Sequence, residues 1–246
     1  MEEMIQRLKD HGRFLELEIL IPELKEKLTE GKRLLREAGL ETAQNKWAYS
    51  KLEKGSFFQR LRGNWEKKKE AAWQNYRAAE RREQEYGQAV SFWEEQLAQE
   101  QQELAALTGS LERYLQQREG YLLSGGDRDA LLEAQKEQLA AIAAKEVDRC
   151  IAALEGAHGW MQEDAIRKGV GQENRKMEFL KRAGAHVENI KKLLPLLPEH
   201  TVEAPDYMRN PDGFILNYTS EFKQLDRLNL AVEQLRKLKK EIMSLQ

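Results

Sequence analysis

The chain has 246 residues, with 40 Lys and Arg against 42 Asp and Glu and a formal net charge of -2. Charged residues make up 33% and aromatics 8%, and Glu, Leu, Ala, Lys and Arg together account for 133 of the 246 positions. That share exceeds the roughly 50% that marks coiled coils and long helices, while the near-neutral balance argues against a wholesale nucleic-acid binder.

Proline occurs only at Pro22, Pro195, Pro198, Pro205 and Pro211, so residues 23–194 are free of the one residue that removes a ladder hydrogen bond and clashes with the preceding turn. Val and Ile number 15 together, too few for a sheet-rich core. The expectation is an all-α protein. A single cysteine, Cys150, excludes an internal disulfide framework and suits a reducing cytosol. The opening MEEMIQRLKD lacks the apolar core of a secretory signal, and no apolar run reaches the roughly 18 residues of a membrane span, so a cytoplasmic location is expected.

A heptad is the strongest pattern. Apolar positions alternate three and four apart from Phe14 through Ile21, Leu28 and Leu35 to Leu52, and again from Trp65 through Tyr76, Val90, Trp93 and Leu107 to Tyr121. Continuous helix from Trp65 to Tyr121 would reach about 85 Å. Between the seams, EKGSFFQRLRGN holds two glycines, a capping box (Ser56 with Gln59) and a cap at Asn64, which turns the chain back on itself. Residues 1–124 therefore read as a long antiparallel coiled-coil hairpin with its tip near 53–64. The register that best matches large to small side chains sets Ala38 on Ala79, Gly31 on Tyr86, Leu35 on Glu83 and Leu24 on Trp93, with a one-heptad slip as its rival. Whether the seam between Leu104 and Tyr121 is covered within the chain or by a second copy, as a homo-oligomer, is left open.

Residues 125–246 read as helical segments packing at the base of the hairpin. SGGD, with Gly125, Gly126 and a cap at Asp127 or Asp129, ends the second long helix. A third helix carries Leu139, Ala143, Val147, Cys150 and Leu154; Gly156–Gly171 reads as a short helix with irregular ends; a fourth stripe runs from Met177 to Leu194. A proline-rich loop at 195–213 closes in NPDG, a type I turn signature, before a last helix from about Phe214.

Chemistry-bearing motifs are scarce. His11, His158, His186 and His200 have no His or Cys three or four residues away, and there is no CxxC, HExxH or phosphate-binding GxxxxGK[ST], so the expectation is no catalytic, cofactor-binding or metal-binding residue. GVGQEN at 169–174 lacks the third glycine of a dinucleotide loop. Cys150 lies on an apolar stripe and reads as a small core residue rather than a nucleophile. His158–Gly159–Trp160 is an unusual local cluster that reads as a segment packed by its tryptophan. The candidate interaction site is the hairpin tip, where Phe57, Phe58, Leu61 and Trp65 are interleaved with Arg60, Arg62, Lys67, Lys68 and Lys69. Aromatics beside cations fit an anionic membrane interface, single-stranded nucleic acid or a protein partner, while the plainer reading makes them the small core of the turn.

KLEKGSFFQRLRGNWEKKKEAA at the tip, the GW pair at 159–160 and FILNYTSEFKQLDRLNLAVEQLRKLKKEI near the end give a chain that resembles a set of uncharacterised bacterial helical coiled-coil proteins. The resemblance implies a charged hairpin with an FF-containing turn, a glycine-containing helical segment and a final long helix, and it implies no activity, cofactor or catalytic residue. The function expected is a non-enzymatic cytoplasmic scaffold or adaptor that binds protein. The alternative is a peripheral binder of anionic membrane or nucleic acid through the basic aromatic tip.

Overall fold

The computed structural model describes residues 2–55, 64–167, 173–197, 204–217 and 220–245, and among them every regular element is helical. In chain order these are α1 (Glu2–Glu53), α2 (Trp65–Leu107), α3 (Ser110–Leu123), α4 (Arg128–Arg167), α5 (Glu173–Leu193), a 3-10 turn (Leu194–Leu196), α6 (Asp206–Arg209), α7 (Pro211–Leu216) and α8 (Glu221–Met243). No helix among the described residues is long and apolar enough to cross a membrane. By contact the chain separates into two units. One is Leu17–Ala106; the other joins Met1–Glu16 to Leu107–Gln246. Residues 1–16 and 107–124, read from the sequence as hairpin, are thus grouped with the later helices.

Leu17–Ala106 is built from the greater part of α1 and nearly all of α2. α1 continues through Pro22, which removes one ladder hydrogen bond but leaves the rest to carry the helix. Gly31 faces Val90 and Trp93, Leu35 lies against Gly87, and Gly39 faces Glu83. Ion pairs Lys32–Glu94 (2.8 Å) and Glu41–Arg82 (2.8 Å) follow the same order. Partner numbers fall as α1 numbers rise, so the two helices run in opposite directions here. The register differs from the expected one. Gly31 meets Val90 and Trp93 instead of Tyr86, and Leu35 meets Gly87 instead of Glu83, a displacement of four to seven residues toward the rival slip. The reason is the Trp93 indole, which lies where a Cβ on residue 31 would come within 2.5 Å, so only glycine lets the ring in. Ile21, Leu24, Ala38, Trp65, Ala79 and Val90 are buried, whereas Leu28, Leu35, Tyr76, Tyr86 and Leu97 are only half-buried, as expected of a seam between two helices.

The second unit holds the large core. Leu8 and Leu15 from α1, Leu111 and Tyr114 from α3, Leu139, Val147 and Leu154 from α4, Val187 and Ile190 from α5, and Leu228, Leu235 and Ile242 from α8 are buried in one cluster. α5 and α8 both pack on α4, the central element.

Several boundaries differ from expectation. The second heptad seam does not form one helix to Tyr121; it breaks after Leu107, where Gly109 adopts φ 74°, a left-handed conformation that β-carbon sterics reserve for glycine. Arg113 holds the break by donating to the Thr108 carbonyl at 2.9 Å. SGGD stops α3 as expected, with Gly125 at φ 87°, and Asp127 caps α4 through bonds from the Asp129 and Ala130 amides. Gly156 to Arg167 does not form a short separate helix but continues α4. NPDG starts α7 rather than closing a loop: Asn210 Oδ1 accepts from Gly213 N–H at 3.1 Å, an N-cap. The last long helix begins at Glu221, because α7 ends at Leu216.

Two glycines of α4 give a matched prediction. A Cβ on Gly156 would meet the Phe179 ring of α5 at 2.5 Å, whereas Gly159 has nothing within 4 Å. Gly159→Ala gains about 0.5–1 kcal/mol from helix propensity, and Gly156→Ala loses about 1–3 kcal/mol because overpacking exceeds that gain. Urea denaturation of the two variants should move the midpoint in opposite directions.

Candidate functional site

Of the expected tip residues, Phe57, Phe58, Arg60, Leu61 and Arg62 lie outside the described residues, as does the Ser56–Gln59 capping box. α2 starts where expected, the Asn64 carbonyl accepting from Lys68 N–H at 3.1 Å. Trp65 is buried with the Lys69 ammonium 5.3 Å from its ring centroid, while Lys67 and Lys68 are exposed. A cleft of about 700 Å³ opens beside them, lined by Tyr49 of α1 and by Glu66, Lys67, Lys69, Glu70 and Trp73 of α2. Three tryptophans of this region carry a cation: Lys51 lies 3.6 Å from the Trp47 ring, Lys69 on Trp65, and the Arg77 guanidinium 5.9 Å from Trp73. Trp73 is 43% exposed and Trp47 62%. A cation over an indole face screens it partly from water while leaving the edge free, an arrangement common at protein and headgroup surfaces.

The most concentrated polar chemistry lies in the other unit and has no local signature. Glu146 of α4 is fully buried. Its Oε1 is 2.7 Å from His11 Nε2 and accepts from Asn189 Nδ2 at 2.9 Å; its Oε2 is 2.6 Å from His186 Nδ1. His11 Nδ1 lies 3.1 Å from Ser110 Oγ. The network therefore ties α1, α3, α4 and α5 together. Burial is the largest single influence on the Glu146 carboxyl and works to raise its pKa. The hydrogen bonds from His11 and His186, with their charge, together outweigh it and hold the group below its ordinary value. An ionised carboxylate only accepts, so both imidazoles direct N–H at it, and His11 Nδ1 shares a hydrogen bond with the Ser110 hydroxyl.

A hydroxyl, an imidazole and a carboxylate in series invite comparison with a nucleophile relay. The order is inverted, however, with the hydroxyl on Nδ1 and the carboxylate on Nε2, and Ser110 is 1% and His11 3% exposed. No face of the serine is open to a substrate. The arrangement binds helices to one another.

In the same unit, Cys150 donates to the Ala183 carbonyl at 3.5 Å, and burial pushes its thiol up to about 12. The residue is a core thiol, as its apolar stripe indicated. His158 lies on α4 and lines a cleft of about 300 Å³ with Leu154, Asn229 and Val232, across which Arg236 pairs with Glu155 at 2.8 Å. Trp160 carries Arg175 at 4.7 Å from its ring. Among the described residues, no group of three His, Cys, Asp or Glu side chains is arranged to hold a metal ion.

Sequence reasoning missed the Glu146 network because its histidines are 175 positions apart and neither is near Glu146. One signal was present. Glu146 occupies a seam position in Leu139–Ala143–Glu146–Cys150, spaced four, three and four apart, where a lone acid must find buried partners. No family model matches the chain, and no curated protein or solved structure matches it significantly.

Proposed function

We propose that the protein is a non-enzymatic cytoplasmic scaffold or adaptor, with Leu17–Ala106 acting as an antiparallel coiled-coil hairpin that presents its basic, aromatic end to a protein partner. The carrying observation is the cleft of about 700 Å³ walled by Tyr49 and by the exposed Trp73 and edged by Lys67 and Lys69. Aromatic anchors set in a concave, charge-edged surface are the residues that dominate binding energy at protein interfaces. The titratable cluster around Glu146, by contrast, is sealed and serves cohesion. A buried, protonated Cys150 is compatible with a reducing compartment.

The test is crosslink-assisted capture from the native cell with the intact chain and with a Tyr49→Ala and Trp73→Ser double variant. The proposal expects the same partner proteins to be enriched by the intact chain and lost by the variant at unchanged helicity. Equal capture by both would reject it. The membrane or nucleic-acid alternative draws on Lys67 and Lys69 edging the same cleft. It expects flotation with anionic liposomes, or retention on single-stranded oligonucleotides, that falls as salt is raised.

A further inference from the structure

The two-helix unit carries a second exposed face, on α1. Ile19, Leu40 and Trp47 are 46%, 61% and 62% exposed, and they share one heptad position, 21 and 7 residues apart, with Glu26 and Arg33 at the same position between them. Their shared position sets them, with Glu26 and Arg33, on one outward line of α1 along which a second helix can lie. What that partner is follows from charge. At one end of the unit, residues 17–30 and 94–106 hold eight acids against two lysines; at the other, residues 46–55 and 64–77 hold seven Lys and Arg against three acids. The Lys32–Glu94 pair and the Gly31–Trp93 contact show that the first two segments lie together, and the cleft of Tyr49 with Glu66 to Gln74 shows the same for the second two.

We infer that the α1 stripe is covered by a second copy of this chain, lying antiparallel so that the basic end of each unit rests on the acidic end of the other. A parallel copy would set acidic end on acidic end and basic end on basic end. The antiparallel one matches opposite ends and sets Trp47 of one copy on Ile19 of the other. The crossing then falls near Arg33, whose guanidinium is already neutralised within its own helix by Glu30 and Glu37, at 2.5 Å each, so its meeting with its own copy carries no bare charge. Tyr49 and Trp73 are not stripe residues, so substituting them tests the adaptor reading and substituting Ile19 and Trp47 tests this inference, even though Lys67 and Lys69 of the cleft belong to the basic end.

Sedimentation equilibrium of the full chain should give twice the 28.6 kDa monomer mass at low salt, with dissociation favoured as salt rises. Ile19→Ser with Trp47→Ser should give a monomer of unchanged helicity, since both side chains are solvent-exposed in the single chain. Nitroxide labels at Arg36→Cys should lie within about 20 Å of each other across the dimer, and labels at Lys54→Cys about 60 Å apart, from the 1.5 Å rise per residue on either side of Arg33. Cys150 is buried and stays unlabelled. A wild-type monomer at the highest soluble concentration would overturn the inference. So would a dimer that survives the double serine variant, or one whose Lys54→Cys labels lie as close as those at Arg36→Cys.

Discussion

Glu146→Ala is expected to cost about 3–5 kcal/mol, because it strands the N–H groups of His11, His186 and Asn189 in a fully buried site. Exposed pairs behave differently. Lys32→Ala, which frees Glu94 at a site where both side chains are about half in water, should cost less than about 1 kcal/mol. Urea denaturation of the two variants at neutral pH measures both losses, and a Glu146→Ala cost as small as that of Lys32→Ala would mean that the buried network does not hold its four helices together.

The same network fixes the sign of an acid response. The Glu146 carboxyl sits below its ordinary value of 4.5 in the folded chain, so between the folded and unfolded values the unfolded chain binds more protons. Its contribution is fully present above the unfolded value and is lost as pH falls through the folded one. Glu146→Gln should flatten this acid limb in a pH series of urea midpoints, whereas the wild type keeps it.

Leu154→Ala is the second large effect. Leu154 is fully buried on α4 within the main cluster, and its truncation should cost about 2–5 kcal/mol through lost burial and the cavity left behind. Phe222→Ala removes a larger side chain that is 79% exposed and should change stability by less than about 0.5 kcal/mol. Denaturation midpoints of the two variants provide the check. Equal losses would mean that the cluster around α4 is not the core of its unit.

Composition was enough to read the helical class, because a chain rich in Glu, Leu, Ala, Lys and Arg with a proline-free run of 172 residues has little else to form. Local stop chemistry was legible too: Gly125 and Asp127 end one helix and cap the next as their residue types require. Register was not. A heptad repeats itself, so slipped pairings bury similar stripes, and the choice rests on one non-local fit, the Trp93 indole over Gly31. The break at Gly109 was hidden for a related reason, since the apolar spacing continues across it through Leu107 and Leu111. The buried carboxylate was least legible of all, because its partners come from helices distant in sequence.

The opposed pairing of α1 and α2 within one molecule is the premise of the adaptor reading, and a cysteine pair tests it most directly. Leu35 Cδ1 lies 3.9 Å from where a Cβ on Gly87 would stand, close enough for Leu35→Cys with Gly87→Cys to form a disulfide after a small adjustment of the two helices. Mild oxidation in dilute solution should close this bond inside single chains, seen as faster migration without reductant at unchanged mass. Crosslinks that form only between chains, or no crosslink at all, would contradict the pairing.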